Sequence, residues 1–313
     1  MKAGSFVSEK EFDALFEKLK NWGRWGEDDE IGTLNYITPQ KIKAAAALVK
    51  KGRSVSMSIP VNTVAEIDNA HPAIHYMASA HENIEGFKNQ GYATDFLGMQ
   101  FHGDCHTHID ALCHISYKGL LYNGIPISKV NTSGAQCLDV AAYAHGIISR
   151  GVLIDVPRYR GVKWLEPGEA VTADEIQDIE KAQGVKLEQG DIMVFRTGQY
   201  RRRVEKGAWD VGRTGEGRAG LDLDCMPLLH ERKVAGFLPE GDGEVMPCNV
   251  EGLRSPVHAL QVAAMGMFCA DSLQLEELSA VCEEEERFEF MVTIAPLRLP
   301  KGTGCPFNPI AVF

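Results

Sequence analysis

The chain has 313 residues, of which 44% are hydrophobic and 24% charged, and its formal net charge is −11. This length allows a large buried core, and the acidic balance argues against nucleic acid as a partner. The sequence has no signal-peptide segment, no apolar run near ~18 residues and no C-x-x-C pair, which predicts a cytoplasmic protein without a membrane partner.

The first elements are predicted to be helices. Apolar side chains recur at helical spacing through residues 8–21, which indicates an amphipathic helix. Thr38 and Pro39 suit the N-cap and first turn of a second helix. Trp22 and Trp25 lie between them in an irregular glycine-rich segment, where they could line a substrate pocket or attach these helices to the core.

The main domain is predicted to begin at residue 54, where alternating residues indicate a strand. We therefore divide the chain into a helical extension over residues 1–53, packed on the core, and a domain over residues 54–313. Residues 62–95 show no clear periodicity, and a loop of that length is typical of a lid over a substrate site.

A cluster of histidines and aspartates follows this segment. Residues 101–114, FHGDCHTHIDALCH, contain His102, Asp104, His106, His108, Asp110 and His114. All six have even numbers, and a strand sends alternate side chains to one face. His106, His108 and Asp110 would then converge on one point, with His114 one turn beyond Asp110 if a helix begins there.

Imidazole and carboxylate ligands together suit Zn²⁺ or Mn²⁺ at a site that keeps one position open. The alternative is a polar strand whose histidines are satisfied by ordinary hydrogen bonds. The density of this cluster favours the metal site.

This stretch resembles the signature His-x-Gly-Thr-His-x-Asp-x-Pro-x-His of the cyclase-like metal-dependent hydrolase family, which includes kynurenine formamidase and isatin hydrolase. Thr107, His108, Asp110 and His114 match the signature. The similarity extends to GRWGEDDEIGTLN near the start and APLRLPKGTGCPFNPIAV at the end. The resemblance implies an α/β fold, a swivelling β/β/α layered domain with a mixed sheet, that forms homodimers or homotetramers.

The sequence departs from this signature at three positions. Asp104 stands at the first His, His106 at the Gly and Leu112 at the Pro. The first ligand position therefore has three candidates, which are Asp104 itself, His106 and His102.

The remaining chain alternates between predicted strands and helices, which is typical of an α/β layer architecture. Tyr122, in a segment with turn chemistry, is a further candidate substrate-binding residue. The loop over residues 239–247 carries Glu240, Asp242 and Glu244, which could border the site, although an exposed acidic loop is the simpler interpretation.

His258 lies in the first turn of a predicted helix that begins at Pro256. Alone, such a histidine would be a cap or a core residue. The resemblance implies a histidine here and a carboxylate further along the chain, which together complete a second metal position. Asp271 stands near the place of that carboxylate, one residue displaced.

These residues predict a metal-dependent hydrolase that cleaves a C–N bond of a small aryl formamide or cyclic amide with metal-activated water. His114 corresponds to the catalytic histidine of the family and is the candidate general base. A lactone or ester hydrolase would need the same groups, and a metal-bearing binding protein without turnover is a further alternative. The sequence lacks G-x-S-x-G, G-x-G-x-x-G and P-loop motifs, which argues against serine hydrolases and nucleotide-binding proteins.

Overall fold

A computed structural model describes residues 4–81, 90–212 and 215–313. Its helices are α1 (Glu9–Leu19), α2 (Pro39–Ala46), α3 (Val156–Arg160), α4 (Ala173–Gln183), α5 (Gln199–Lys206), α6 (Cys225–Glu231), α7 (Pro256–His258) and α8 (Glu276–Glu284). Its strands are β1 (Ser54–Ser56), β2 (Ile74–Ser79), β3 (Thr94–Gly98), β4 (His108–Asp110), β5 (Val130–Asn131), β6 (Gly134–Ala135), β7 (Ile147–Asp155), β8 (Ala170–Val171), β9 (Ile192–Arg196), β10 (Gly220–Leu221), β11 (Gly236–Pro239), β12 (Phe268–Asp271), β13 (Glu289–Ile294), β14 (Gly304–Pro306) and β15 (Ile310–Val312).

The main sheet is mixed. Within the described residues it has nine strands in the order β1-β15-β13-β7-β9-β11-β12-β4-β14. The central strands β7, β9, β11 and β12 run parallel, whereas β4 is antiparallel to both β12 and β14. The predicted α/β class with a mixed sheet is confirmed.

Apolar cores cover both faces of the central strands. Along β9, Ile192 and Val194 face one core, while Met193 and Phe195 face the other. A strand buried on both faces has an apolar run without alternation, which is why IMVF stands out in the sequence. The rigid centre of the sheet supports β4 and β12, where the candidate site lies.

The N-terminal helices form as the sequence predicts. Ser8 and Glu11 make a reciprocal capping box at the start of α1, and Thr38 caps α2 with Pro39 in its first turn. Helix α2 ends at Ala46, whereas the sequence KIKAAAALVKK predicts a helix that continues to Gly52. Strand β1 ends at Ser56, whereas the alternating residues predict a strand as far as Val61.

Strands β2 and β3 pair as an antiparallel hairpin, and this hairpin overlaps the segment over residues 62–95 that shows no clear periodicity. Nearly all of their residues are exposed, so neither face selects for apolar side chains and no alternation arises. The predicted lid spans part of this hairpin, and residues 82–89 of it lie outside the described residues. Among the described helices, none is long and apolar enough to cross a membrane.

The N-terminal extension shares a core with the rest of the chain. The side chain of Phe12 in α1 is 0% exposed and packs in the same cluster as β9 residues. A hydrogen bond from Asn21 Nδ2 to the Met265 carbonyl oxygen adds a polar attachment. The two parts of the chain therefore bury apolar surface together. The division of the chain at residue 54 stays a proposal.

We expect Phe12→Ala to lower the free energy of unfolding by about 3–5 kcal/mol, because it leaves a cavity between α1 and the main core. Urea unfolding measures the change. Lys10→Ala is the matched control, since Lys10 is an exposed residue of the same helix and its loss should change stability by less than about 0.5 kcal/mol. Equal unfolding midpoints for both variants would mean that the extension does not stabilise the domain.

Candidate metal centre

Two antiparallel strands present four potential metal ligands on one face. Asp271 of β12 lies opposite His108 of β4, and Cys269 lies opposite Asp110. Residues directly opposite each other in an antiparallel pair project to the same side of the sheet. The register therefore brings two pairs of ligands together before any loop contributes.

His102, His108 and Asp110 form the first group of candidate ligands. Nδ1 of His102 lies 2.9 Å and Nε2 of His108 lies 3.5 Å from Oδ1 of Asp110. His102 lies in the chain before β4. The family signature has its first histidine two residues later, at the position of Asp104, so His102 offers an imidazole in its place.

The second nitrogen of each imidazole is held by another group. Nδ1 of His108 lies 2.8 Å from the His106 carbonyl oxygen, and Nε2 of His102 lies 2.9 Å from the Thr303 hydroxyl. Such contacts fix the orientation of metal-binding histidines and leave the other nitrogen for the ion. Both rings thus present one nitrogen to Asp110.

His258, Cys269 and Asp271 form a second group of candidate ligands, and all three are buried. Nε2 of His258 lies 3.2 Å from Oδ2 of Asp271, and its Nδ1 lies 2.5 Å from a Glu244 carboxylate oxygen. His258 is carried by α7, which continues into a π-helical turn over Ala259–Ala264.

Both groups contribute side chains to one open cavity of about 290 Å³, and Cys269 lies behind its lining. Its walls include the carboxylates of Asp104, Asp110, Asp242 and Asp271 and the side chains of His102, His108, His114, Arg254 and His258. Behind them, the buried Arg218 guanidinium pairs with Asp104 at 3.1 Å and with Asp242. The positive charge of Arg218 offsets the negative charges of Asp104 and Asp242. Asp110 and Asp271 are the carboxylates of the two ligand groups.

Charge and burial set the protonation of the cavity. Burial raises the pKa of Asp110, but the imidazoles of His114, His102 and His108 lower it further, to a value below its usual range. Burial lowers the pKa of His114 despite the nearby Asp110 carboxylate. Burial and Asp242 raise the pKa of Asp104 to about 7 against the opposing effect of Arg218. His114 is therefore neutral near pH 7 while Asp110 is ionised.

The donor atoms fit a divalent cation. Nδ1 of His102 and Oδ1 of Asp110 are buried and make no hydrogen bond within the described part of the chain, although they lie 2.9 Å apart. Buried polar atoms normally have partners, so unsatisfied atoms that converge on one point indicate an ion. Imidazole nitrogen with carboxylate oxygen is a donor set for Zn²⁺ or Mn²⁺.

His106 does not join His108 and Asp110 in the cavity. Strand β4 begins at His108, so the alternation that the sequence suggested does not extend back to residue 106. The His106 ring lines a neighbouring cleft with His71, and neither ring nitrogen has a hydrogen-bond partner among the described residues. Asp104 lines the cavity but contacts Arg218. Of the three candidates for the first ligand position, His102 is the one whose ring nitrogen lies beside Asp110.

His114 lies at the cavity wall beside Asp110. No helix begins at Asp110; a turn follows instead, in which the His114 backbone N–H donates to the Ala111 carbonyl oxygen. Nε2 of His114 is 3.7 Å from Oδ2 of Asp110, and its ring stacks on His102 with centroids 3.8 Å apart. The contact predicted between His114 and Asp110 thus arises from a turn rather than a helix.

The three aromatic candidates lie away from the cavity lining. The Trp22 indole N–H donates to the Ala263 carbonyl oxygen, and Trp25 packs edge-on against Tyr36. Tyr122 is fully buried, and its hydroxyl donates to Asp29. Trp22 and Tyr122 thus attach the extension to the core, which was the alternative for Trp22, whereas the ring contact of Trp25 lies within the extension.

The acidic loop is not exposed, contrary to the simpler interpretation. Glu240 and Glu244 are buried, and Asp242 lines the cavity. Three backbone N–H groups donate to Glu240 where α5 begins, and Glu244 contacts His258.

Two further residues of the candidate centre, Cys269 and Arg218, were not predicted from the sequence. The pattern Cys-x-Asp in a strand was a usable signal for Cys269, whereas only the folded structure brings Arg218 to Asp104.

The model of the cyclase family matches residues 34–241. A solved structure described as a novel cyclase has 31% identity over 95% of this chain and 99% of its own, with a TM-score of 0.85. Isatin hydrolase A from Ralstonia solanacearum has 20% identity over 88% of this chain and 98% of its own, with a TM-score of 0.59. Isatin hydrolase A from Labrenzia aggregata, in a structure with benzyl benzoate, has 18% identity over 85% and 94%, with a TM-score of 0.58. These two likenesses concern the fold alone. No curated protein matches the chain.

The geometry predicts different effects for two neighbouring histidines. His108→Ala should lower the bound divalent metal per chain, because it removes an imidazole that faces Asp110. His106→Ala is the matched control and should keep the metal, because its ring faces another cleft. Elemental analysis after dialysis measures both. Equal metal loss in the two variants would contradict the placement of β4.

Proposed function

The chain belongs to the cyclase family, and from this premise we propose that it is a metal-dependent hydrolase that cleaves a C–N bond of an aryl formamide or cyclic amide. The observation that carries the proposal is the open cavity that both groups of candidate ligands line together with His114, whose pKa burial lowers. A binding protein needs no spare base beside its ligands, so His114 favours catalysis over mere binding.

Zn²⁺ or Mn²⁺ is the proposed cofactor. His102, His108 and Asp110 would hold one ion, and His258 and Asp271 would contribute to a second position. When bound there, a divalent cation would polarise a carbonyl and lower the pKa of a bound water to about 7. The protein contributes a preformed site, because Thr303, the His106 carbonyl oxygen and Glu244 hold the ligand rings in place.

His114 is the proposed general base and then acid. Its lowered pKa keeps the ring neutral, so it can accept a proton from the attacking water. It can then return that proton to the leaving nitrogen as the C–N bond breaks. Stacking on His102 and the proximity of Asp110 hold its ring at the cavity wall.

The substrate class follows from the resemblance of the central motif to the family of kynurenine formamidase and isatin hydrolase. A lactone or ester would use the same groups, since it too presents a carbonyl to water. Homodimers or homotetramers and a cytoplasmic location stay predictions. Self-association is supported by exposed apolar side chains on the β2–β3 hairpin, such as Tyr76 and Leu97.

Metal exchange with a substrate panel tests the proposal. Prolonged chelation should abolish hydrolysis, and Zn²⁺ or Mn²⁺ should restore it. Aryl formamides and cyclic amides should be cleaved faster than matched lactones and esters. If lactones and esters are cleaved faster, the activity of the protein is ester hydrolysis rather than amide hydrolysis. Metal binding without turnover of any of these substrates would support the binding protein instead.

His114→Ala should keep its fold and metal and lose about 10²–10⁴-fold in kcat, because it removes a base and no ligand. Circular dichroism, elemental analysis and steady-state kinetics measure the three properties. His106→Ala serves as control and should retain far more activity. Near-normal kcat in His114→Ala would assign the proton transfer to another group.

The pH dependence of kcat/KM should report the titration of His114. Because the pKa of His114 is lowered, its neutral form persists to lower pH than that of a free imidazole, and a nearby cation would lower the pKa further. The acid limb of kcat/KM should therefore have its midpoint below about 6.5. His114→Ala should remove that limb. A midpoint above the free imidazole value would contradict the assignment.

A further inference from the structure

Cys269 is a buried thiol within the candidate centre that the proposed function does not use. It is 0% exposed and occupies the second position of β12. Its place opposite Asp110 directs the side chain to the ligand face of the sheet.

The donor atoms of His258, Cys269 and Asp271 lie close together. Sγ lies 2.8 Å from Oδ1 of Asp271 and 3.7 Å from Nε2 of His258, while that Nε2 lies 3.2 Å from the other Asp271 oxygen. Ligands at the usual zinc distances of ~2.3 Å for sulfur and ~2.0 Å for nitrogen are about 3.4–3.6 Å apart in a tetrahedron. The Sγ–Nε2 distance is close to this value. The thiol of Cys269 donates a hydrogen bond to Asp271 at the shorter distance, so these two side chains would move apart for all three donors to bind one ion.

The surroundings prepare His258 for this role. Its Nδ1 lies 2.5 Å from Oε1 of Glu244, which orients Nε2 toward Cys269 and Asp271. Glu244 is itself fixed, because its second oxygen accepts from the Val257 backbone N–H at 3.1 Å. A carboxylate behind a histidine is the arrangement that supports metal-binding imidazoles.

We propose that Cys269 is a metal ligand and that His258, Cys269 and Asp271 form a thiolate-containing cation site selective for thiophilic ions such as Zn²⁺ over Mn²⁺. The inference deepens the proposed function and rests on it, because both place divalent cations in this cavity. As the sulfur–metal bond forms, the thiol releases its proton to solvent. Thiolate is a soft ligand that suits zinc, whereas the oxygen-rich sites that suit manganese lack it.

Cobalt substitution tests the ligand directly, because a thiolate bound to Co²⁺ gives a sulfur-to-metal charge-transfer band in the near ultraviolet. The wild-type protein loaded with Co²⁺ should show that band. Cys269→Ser should lose the band and bind one ion fewer per chain. Cys282→Ser is the matched control, since Cys282 is an equally buried thiol in α8, and it should keep both band and ion. His108→Ala should keep the band while losing the other ion.

X-ray absorption of the zinc-loaded wild-type protein gives a second readout that needs no variant, and it should contain a Zn–S shell near ~2.3 Å. Cobalt binding and amide hydrolysis without a charge-transfer band would overturn this inference and leave the proposed function intact. A band that persists in Cys269→Ser would overturn the assignment to Cys269. A protein that binds no divalent ion at all would overturn both proposals.

Discussion

The antiparallel register of β4 and β12 is the constraint on which the candidate centre depends. Ile109 and Ala270 lie opposite each other and point into the apolar core, where both are 0% exposed. A slip of one residue would turn these two toward the cavity and the polar ligands into the core. The hydrophobic effect therefore fixes the register, and the register in turn fixes which polar groups meet. The ligand face is a consequence of how well its opposite face packs.

Burying so many carboxylates requires compensation, and the protein uses a different kind on each side of the cavity. Arg218 lies between Asp104 and Asp242, and this pairing offsets part of the cost of taking the charges out of water. Asp110 has three imidazoles within 3.7 Å instead of a permanent cation. An imidazole carries a positive charge only when it is protonated, so Asp110 lacks the permanent counter-charge that Arg218 gives to Asp104 and Asp242. Local electrostatics thus favour a cation at one place in the cavity.

The sequence predicts which side chains lie together where the chain forms a regular strand. It does not predict this correctly beyond the end of the strand. Alternation within β4 correctly grouped His108 with Asp110, because a strand obeys a period of two. The same rule placed His106 with them, but the strand begins at His108, so the rule had no meaning two residues earlier. His102 comes from irregular chain, where no periodicity exists to predict its direction. The aromatic residues were ambiguous for a related reason: an apolar, glycine-rich segment predicts that Trp22 packs on the protein, but not which groups it contacts.

The second group shows how a helix and a strand together set a spacing that neither sets alone. Cys269 and Asp271 share a face because they are two residues apart in β12, whereas His258 comes from the preceding helix. The π-helical turn over Ala259–Ala264 lies between them, and a π turn accommodates one residue more than an α turn. An additional residue in this connection can thus be absorbed within the helix, without moving His258 away from β12. The displaced spacing of Asp271 is therefore compatible with the same spatial role. The Cys269 sulfur lies beside both side chains, 3.7 Å from His258 Nε2 and 2.8 Å from Asp271 Oδ1, so the helix and the strand together surround one point.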